Sequence, residues 1–534
     1  MNTSRRLRYP LAAGALATAA LLLWPIPGSD RWDIRIDQDA LAGKRAYLNA
    51  LQPATAGAPN ILLMVADDLG RHDVGFHGSA FAVTPHLDDL ARSSTVFASA
   101  YATAAICAPS RAALLTGRVQ NRFGFESQPM QRYVRNLGEY LGFRYLIDTD
   151  AMQPFLLASY PKGEQLSAQG LPGSEITLAE IFQRLGYRTG IFGKWHLGYA
   201  TGNHPLRFGF DVQYGFQEAF SLYAEPGRPD IRAYHHDLFW EKHIWEMGRS
   251  GPSAISRNGK VIRESRYLTD AIAEEAITFI DQSLDAGKRF FAYVPFSAPH
   301  TPFQARQEDY EALDGIGDPN RRVYAAMIRR LDHAVGRLIA HLEARDVLRN
   351  TLVVFTSDNG GADYTKATDN GPLRGGKFTQ FEGGLAVPLL LRLPASAQAR
   401  QPARIHRPVL LTDLFATLLD AVEAPVPDDR SYDSVNLFEP GTARRTLAWR
   451  SDFNGTIRSG PWKLIRNRRQ GSTVLFNLSE DPGESRDLSR SHPDRVAAML
   501  AAFERWQEDL HEPLWPRVMN YRYEDESGVY WFAI

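Results

Sequence analysis

The sequence predicts an α/β protein with a large mixed, mostly parallel sheet flanked by helices, and a smaller C-terminal α+β subdomain that contains an antiparallel sheet. Apolar, strand-like runs alternate with helical patterns along most of the chain, which is typical of parallel strands joined by helices. Short strands separated by turns begin only near residue 444. The chain has 534 residues, 44% of them hydrophobic and 23% charged, so it can bury a large core.

Four apolar runs are the clearest strand candidates, and each leads directly into polar residues. In open α/β sheets, ligands bind beyond the carboxyl ends of the strands, so these polar residues are expected to meet in one crevice. The runs are residues 61–65 before Asp67 and Asp68, 189–192 before Lys194 and His196, 290–294 before His300, and 352–355 before Asp358 and Asn359.

Two long helices and a C-terminal meander complete the predicted fold. Apolar residues recur at helical spacing over residues 268–283 and 324–342, so each helix is expected to cover a sheet face. Residues 139–173 show no clear period, which favours an inserted surface loop whose role stays open. The C-terminal strands are expected at residues 446–449, 462–465 and 474–478, with a helix after them at about 493–510.

The N-terminal segment resembles an export signal. Arg5, Arg6 and Arg8 precede an apolar stretch at residues 11–24, and prolines and small residues follow it. The stretch is short for a membrane span, which favours a cleaved signal peptide over a retained anchor and leaves both open. The predicted divisions are a signal peptide or anchor (1–28), an extended linker (29–57), a catalytic domain (58–443) and a C-terminal subdomain (444–534).

Composition limits the location and the partners of the protein. The formal net charge is -1, without the basic excess that is typical of nucleic-acid-binding proteins. A single cysteine allows no intrachain disulfide, so an exported form depends on packing and on any bound metal for stability. We expect a bacterial periplasmic or secreted protein that contacts a membrane only through an uncleaved N-terminal segment.

The one cysteine, Cys107, is predicted to lie at the start of a helix. Pro109 fits the first helical turn and Gly117 fits the helix end. Arg111 would add a fixed positive charge on the first turn, where backbone N–H groups already favour an anion. A lone cysteine is more often a small buried apolar residue, and that alternative stays open on these residues alone.

Four polar residues after the predicted strands offer oxygen ligands only. Such ligands suit a hard cation such as Ca²⁺ or Mg²⁺ and not zinc or copper. A soft thiolate beside a hard cation is a poor chemical match, so residue 107 is not expected to act as a thiol. The four residues are Asp67, Asp68, Asp358 and Asn359.

These motifs together resemble the sulfatase family, an arylsulfatase-like branch of the alkaline phosphatase superfamily. The most specific string is C-x-P-S-R at residues 107–111, followed by T-G-R at residues 116–118. Similar strings are DDLG at 67–70, GKWHLG at 193–198, APHTP at 298–302, SDNGG at 357–361, LRGGK at 373–377, EGG at 382–384, LFNL at 475–478 and DPGE at 481–484.

The resemblance implies that a separate maturation enzyme converts Cys107 to formylglycine. The hydrated aldehyde would offer one oxygen to the cation and one hydroxyl to attack sulfur. Ca²⁺ is expected in preference to Mg²⁺. The implied metal ligands are Asp67, Asp68, Cys107 in its modified form, Asp358 and Asn359.

The resemblance also implies roles for the remaining polar residues. Arg111, Lys194 and Lys377 would neutralise the sulfate ester and the charge that develops on the bridging oxygen. His300 and Lys377 would protonate the departing alcohol. His196 would then take the proton of the second hydroxyl, so that the aldehyde re-forms and sulfate leaves.

The predicted function is hydrolysis of a sulfate monoester on a sulfated small molecule or glycan. A carbohydrate sulfate is favoured over an aryl sulfate on grounds of location alone. The main alternative is a phosphate or phosphonate monoester hydrolase of the same superfamily. A thiol enzyme and an inactive glycan-binding protein are weaker alternatives, because neither explains an intact set of oxygen ligands and cations.

Substrate recognition is the least determined feature. Five aromatic residues are candidates for a platform under a sugar ring, although aromatic residues of this kind more often pack in the core. His72 is expected either behind the residues that line the site or at its rim, and its role stays open. The candidates are Trp195, Tyr223, Trp240, Trp245 and Tyr267.

Overall fold

The computed structural model describes residue 18 and residues 20–79, 81, 83–130, 132–439, 445–517 and 519–534. Arg5, Arg6 and Arg8 of the predicted export signal lie outside the described residues, as does the predicted boundary between residues 443 and 444. No helix in the described part of the chain is long and apolar enough to cross a bilayer.

Strands are numbered here in chain order, and they group into one large sheet and several small ones. They are β1 (Asn60–Ala66), β2 (Thr95–Phe97), β3 (Ala100–Tyr101), β4 (Met152–Pro154), β5 (Arg188–Lys194), β6 (Val212–Phe216), β7 (Ile231–Tyr234), β8 (Ser256–Arg257), β9 (Lys260–Val261), β10 (Phe290–Pro295), β11 (Phe303–Arg306), β12 (Thr351–Ser357), β13 (Ala386–Val387), β14 (Leu389–Arg392), β15 (Arg404–Ile405), β16 (Val409–Leu410), β17 (Thr446–Ser451), β18 (Asn454–Ser459), β19 (Trp462–Asn467), β20 (Ser472–Asn477), β21 (Met519–Asp525) and β22 (Gly528–Ala533).

Helices connect most of these strands. They are α1 (Gln38–Ala50), α2 (Pro85–Arg92), α3 (Cys107–Thr116), α4 (Leu137–Tyr145), α5 (Gly163–Ala168), α6 (Leu178–Arg184), α7 (Phe239–Met247), α8 (Leu268–Asp285), α9 (Gln307–Glu311), α10 (Pro319–Ala344), α11 (Glu382–Leu385), α12 (Asp413–Asp420) and α13 (Pro493–Gln507).

The large sheet confirms the α/β prediction. Its strand order among the described residues is β15-β2-β14-β12-β1-β10-β5-β6-β8-β9. The central strands β12, β1, β10, β5 and β6 run parallel, whereas β14, β2, β8 and β9 add antiparallel pairs toward the edges. The four predicted strand runs fall on β1, β5, β10 and β12, so their carboxyl ends lie side by side.

Both faces of the large sheet are buried. Along β1, Leu62 and Met64 belong to one hydrophobic cluster, whereas Ile61, Leu63 and Val65 belong to the other. The long helices α8 and α10 cover the first face, as predicted, and α3, α6 and α12 cover the second. A parallel sheet that is buried on both faces explains why β1 is a continuous apolar run rather than an alternating one.

The C-terminal antiparallel sheet is also confirmed. Strands β17, β18, β19 and β20 pair in sequence, and Met499 and Phe503 of α13 pack on them. The prediction lacked β18, whose sequence NGTIRS is mostly polar. Gly455 in this strand allows Phe503 to approach, since a Cβ there would lie 2.4 Å from the ring.

Two segments differ from the prediction. The linker expected to be extended contains α1, which begins after Asp37, whose carboxylate accepts a hydrogen bond from Ala40 N at 2.9 Å. The expected surface loop at residues 139–173 contains α4, β4 and α5, and β4 pairs with β21 from the C-terminal part. The partner of so short a strand lies far along the chain, so local periodicity could not reveal it.

Candidate active site

The parallel strands bring the predicted polar residues into one buried crevice. Two backbone hydrogen bonds tie the loops after the strands together, from Asp67 N to Ala298 O (3.1 Å) and from Asp358 N to Ala66 O (3.2 Å). Each predicted site residue is at most 6% exposed. They are Asp67, Asp68, Cys107, Arg111, Lys194, His196, His300, Asp358, Asn359 and Lys377.

Cys107 is the first residue of α3, and Gly117 ends that helix in a left-handed conformation (φ 69°), as predicted. The thiol is 1% exposed, and its Sγ lies 3.5 Å from Asp67 Oδ1 and 3.8 Å from Asp68 Oδ1. Burial raises the pKa of the Cys107 thiol well above its usual value. A thiolate between two carboxylates would be strongly disfavoured, which argues against the thiol-enzyme alternative.

Three carboxylates and three cations pair inside the crevice. Buried ions of this kind are tolerated only with close partners, because desolvation costs several kcal/mol for each ion. The pairs are Arg111 Nε with Asp358 Oδ2 (2.7 Å), Arg111 Nη2 with Asp67 Oδ1 (3.6 Å), Lys194 Nζ with Asp67 Oδ2 (2.7 Å) and Lys377 Nζ with Asp68 Oδ2 (2.8 Å).

The neighbouring carboxyl groups of Asp67 and Asp68 have different electrostatic environments. Burial raises the pKa of Asp67 to about 7, although Lys194 opposes the shift. Burial would also raise the pKa of Asp68, but Lys377 and His300 lower it to about 2. At Asp67 the effect of burial therefore outweighs that of its two cationic partners, and a bound cation would favour the ionised form of that side chain.

The donor atoms around Cys107 fit a hard divalent cation. Single ligand atoms of Asp67, Asp68, Cys107 and His300 all lie within 4.8 Å of one another. Asn359 Oδ1 is buried, and within the described part of the chain it has no hydrogen-bond partner, although its Nδ2 donates to Asp68 Oδ1 at 2.8 Å. With oxygen at position 107, these oxygens form a hard donor set.

His300 joins this group of ligand atoms although it was predicted only as a proton donor. Its Nε2 lies 3.6 Å from Asp68 Oδ2, which is the carboxylate oxygen that Lys377 contacts. Cys107 and Asn359 instead contact Asp68 Oδ1. His300 and Lys377 therefore lie at one carboxylate oxygen of Asp68, Oδ2, whereas Cys107 and Asn359 lie at the other, Oδ1.

The two histidines of the crevice are neutral bases. Burial and Lys194 lower the pKa of His196 well below its usual value, and neither ring nitrogen has a hydrogen-bond partner in the described ranges. Burial and Lys377 likewise lower the pKa of His300, whose Nδ1–H donates to Thr301 O at 2.5 Å. His196 also has a left-handed backbone (φ 57°), which costs energy in a non-glycine residue and is typical of functional sites.

Comparison with known proteins decides the family. The family model described as Sulfatase matches residues 59–424. The chain belongs to the sulfatase family. It is therefore a sulfuric ester hydrolase. N-acetylgalactosamine-6-sulfatase of Canis lupus familiaris is 33% identical over 484 residues, which cover 83% of this chain and 84% of the relative.

Solved structures agree with this assignment. Ps i-CgsB in complex with k-i-k-neocarrahexaose aligns with a TM-score of 0.70 and 31% identity, over 86% of this chain and 94% of that one. The phosphonate monoester hydrolase of Agrobacterium radiobacter has a TM-score of 0.54 and 20% identity, over 88% and 99%. At that identity the second structure shows a shared fold alone.

The sulfatase does not use most of the predicted aromatic platform. Trp195, Tyr223 and Tyr267 are at most 1% exposed and pack in the core, so the hypothesis is wrong for them. Trp240 and Trp245 are half-buried on α7. His72 is partly exposed, with its ring 6.2 Å from that of His77.

Sequence reasoning missed two aromatic residues beside the crevice. Phe378 follows the catalytic motif directly, and the Lys377 Nζ lies 5.3 Å from its ring centroid. Tyr364 stacks on Phe378, with ring centroids 5.5 Å apart. The position of Phe378 next to a motif residue was the one available signal, whereas nothing in the sequence around Tyr364 indicates its place.

Proposed function

We propose that this sulfatase is an exported bacterial enzyme that hydrolyses a carbohydrate sulfate monoester in the periplasm or outside the cell. It would use formylglycine made from Cys107 by a separate maturation enzyme, together with bound Ca²⁺. The observation that carries the proposal is the position of Cys107, 3.5 and 3.8 Å from two carboxylate oxygens in a crevice of oxygen donors. That position suits an oxygen-bearing side chain better than a thiol.

The carbohydrate substrate is inferred from the relatives. One is named for N-acetylgalactosamine 6-sulfate, and another was solved with a neocarrahexaose. Export is supported by the charged and apolar N-terminal pattern at residues 5–24.

The crevice offers a bound cation a set of oxygen ligands. Asp67, Asp68, residue 107, Asp358 and Asn359 would hold it, and Ca²⁺ suits a site made of several protein oxygens better than Mg²⁺, which retains its water. When bound, a divalent cation withdraws charge from the sulfate oxygens and favours an ionised hydroxyl beside it.

The proposed roles of the side chains follow from their charge states. Hydrated formylglycine would supply one hydroxyl to attack sulfur and a second hydroxyl whose deprotonation re-forms the aldehyde. Arg111 and Lys194 would hold the negative sulfate group. Burial would lower the pKa of Lys377, but Asp68 raises it well above the usual value, so the ammonium has a proton to share with the departing alcohol.

The neutral histidines divide the remaining proton transfers. His300 lies beside Lys377, and its unprotonated Nε2 would take a proton from the Lys377 ammonium and pass it to the bridging oxygen. Neither ring nitrogen of His196 has a hydrogen-bond partner among the described residues, and its pKa is strongly lowered, so it is able to accept the proton of the second hydroxyl. Cleavage of the carbon–oxygen bond to the enzyme then releases sulfate without attack by water on a charged intermediate.

The deciding experiment is the mass of the tryptic peptide that contains Cys107, residues 93–111, from protein expressed in a host with a formylglycine-generating enzyme. We expect the mass of an aldehyde in place of the thiol. An unmodified thiol in fully active protein would overturn the mechanism. Assays with N-acetylgalactosamine 6-sulfate and a phenyl phosphonate monoester then separate the two superfamily activities, because a higher kcat/KM for the phosphonate would favour the alternative.

A further inference from the structure

Two stacked aromatic rings, Phe378 and Tyr364, lie on the side of the crevice that holds Lys377, and they are called the aromatic wall below. Phe378 has a left-handed backbone (φ 77°), which is rare for a bulky residue, and its N–H donates to Ala105 O at 2.8 Å. Tyr364 stacks on the Phe378 ring with an interplanar angle of 19°. The Tyr364 ring is thus one ring away from the ammonium that would protonate the leaving alcohol.

An open cleft lies beside this wall. It encloses about 340 Å³ of empty space, part of which is open solvent. Ile106, next to Cys107, and Phe378, next to Lys377, line the cleft together with Gln128, Met130 and Met519. Phe378 therefore borders the cleft and also lies beside the Lys377 ammonium of the crevice.

Segments that are distant in the chain hold the wall from one side. The Tyr521 ring of β21 contacts both wall residues, with centroids 5.4 Å from Phe378 and 6.5 Å from Tyr364. Strand β21 pairs with β4, and Met152 O of β4 accepts a hydrogen bond from Trp240 Nε1 of α7 at 3.3 Å. The inserted segment and the C-terminal hairpin thus form one support.

A buried polar chain holds the wall from the other side. His236 Nδ1 lies 2.5 Å from Glu241 Oε2, and its Nε2 lies 2.9 Å from Asn320 Oδ1. Asn320 Nδ2 donates to Thr365 O at 2.6 Å, next to Tyr364. The ring of His236 also packs at 4.9 Å from Phe303, three residues after His300.

The Tyr364 hydroxyl is left available by these contacts. Tyr364 is partly exposed, and in the described part of the chain its hydroxyl makes no hydrogen bond. Burial raises the pKa of the Tyr364 hydroxyl. The positive charge of Lys377 opposes this shift, and the carboxylates of Asp68 and Glu241 add to it. The group therefore stays a neutral phenol that can both donate and accept a hydrogen bond.

We propose that Tyr364 is a specificity-determining residue that binds the sugar carrying the sulfate, by packing its ring edge on the pyranose and hydrogen-bonding a sugar hydroxyl. This inference rests on the proposed carbohydrate sulfatase function. Glu241 and His236 are positioning residues, since they act on Tyr364 through Asn320 and Thr365. An aryl sulfate has no such hydroxyl and would depend on Tyr364 less.

The test compares Tyr364→Phe and Tyr364→Ala with the wild-type holoenzyme on N-acetylgalactosamine 6-sulfate, a sulfated carrageenan hexasaccharide and 4-nitrophenyl sulfate. For the sugar substrates, loss of one hydrogen bond in Tyr364→Phe should lower kcat/KM about fivefold, mainly through KM. Tyr364→Ala should lower it at least about 20-fold, since the ring contact is also lost. The loss on the aryl sulfate should be several times smaller.

Tyr145→Phe is the matched control, because this tyrosine is 74% exposed on α4 and should leave the sugar-to-aryl ratio unchanged. Equal losses on all substrates, or no loss for Tyr364→Phe with an unchanged melting temperature, would overturn the inference. If wild-type enzyme hydrolyses the aryl sulfate and neither sugar sulfate, the proposed function itself fails, and that result is separate from any effect of Tyr364.

Discussion

Two clusters of buried charge differ in how completely their groups are paired. Lys377 belongs to the reaction centre, and Glu382, only five residues later, belongs to the second cluster. In the second cluster, Lys463 Nζ lies 2.9 Å from both Glu382 Oε1 and Glu484 Oε1. Glu484 Oε2 accepts a hydrogen bond from Glu382 N (2.6 Å), and Tyr101 OH donates to Glu382 Oε2 (2.6 Å).

The reaction centre is paired less completely. Both ring nitrogens of His196 and Asn359 Oδ1 are buried without partners among the described residues, and Cys107 faces two carboxylates. Such unpaired groups are costly in a folded protein and are retained where a ligand satisfies them. Burial of charge is common to both clusters. Glu484 Oε1 of the second cluster also lacks a hydrogen bond, but it lies 2.9 Å from the Lys463 ammonium, whereas His196 and Asn359 Oδ1 have no such partner among the described residues. Buried polar groups without any partner therefore distinguish the site for chemistry from an ion network that joins two parts of the fold.

The largest expected effect comes from removing the group that becomes the nucleophile. Cys107→Ala should lower hydrolysis by at least about 10⁴-fold, because covalent catalysis is lost while the pairing of the surrounding ions remains. The measurement is sulfate release together with the melting temperature, which should change little.

A companion variant tests the same mechanism from another side. Cys107→Ser keeps an oxygen but cannot re-form an aldehyde, so it should accumulate a sulfated peptide that mass spectrometry detects after exposure to substrate. Substantial turnover by Cys107→Ala would exclude a nucleophile at this position.

The cluster around Lys463 should affect stability and leave the chemistry alone. Lys463→Met would leave two buried carboxylates without their cation, which should lower the free energy of unfolding by about 3–5 kcal/mol in urea titrations. The kcat/KM and the metal content of the folded fraction should stay the same. Exposed Lys288→Met is the control, with an expected change below about 0.5 kcal/mol. Loss of activity without loss of stability would show that this cluster is part of the site.

Removal of a proposed metal ligand should affect metal binding and activity, which changes in the second cluster should not. Asp358→Ala should reduce the bound Ca²⁺, measured by elemental analysis. It should also lower kcat/KM by about 100-fold, measured by sulfate release. Asp332→Asn changes another buried carboxylate, which accepts hydrogen bonds from His86 N and Leu87 N, and should retain the metal. Unchanged metal content in Asp358→Ala would remove Asp358 from the ligands.

The smallest effect concerns pH. Burial raises the pKa of Glu484 to about 7 from its usual 4.5, and although Lys463 opposes this shift, Glu382 adds to it. Between these values the folded protein binds more protons than the unfolded chain, so stability falls as pH rises through this interval. The free energy of unfolding of the wild type should fall between about pH 5 and pH 8. In Glu484→Gln this fall should be smaller by about 2 kcal/mol, because the group that titrates is absent. Parallel pH profiles for the variant and wild type would refute the raised pKa.

The reaction centre was easier to predict than its surroundings. Asp67, Lys194 and Asp358 follow strands whose apolar runs are visible, and the rule for parallel sheets places such residues together. The sequence shows no comparable pattern for the short pairing of β4 with β21 or for helix α1. Both depend for their stability on partners elsewhere in the fold. Tyr364 could not be found for the same reason, since only the folded chain brings it onto Phe378.

The depth of Cys107 also sets an order of events during biosynthesis. A thiol that is 1% exposed in the folded protein cannot enter the active site of another protein. If Cys107 is converted to formylglycine as proposed, the maturation enzyme would have to act before the crevice closes. Strand β21 pairs with β4 and supports Phe378 through Tyr521, so this side of the crevice is complete only once Met519–Asp525 has folded into place.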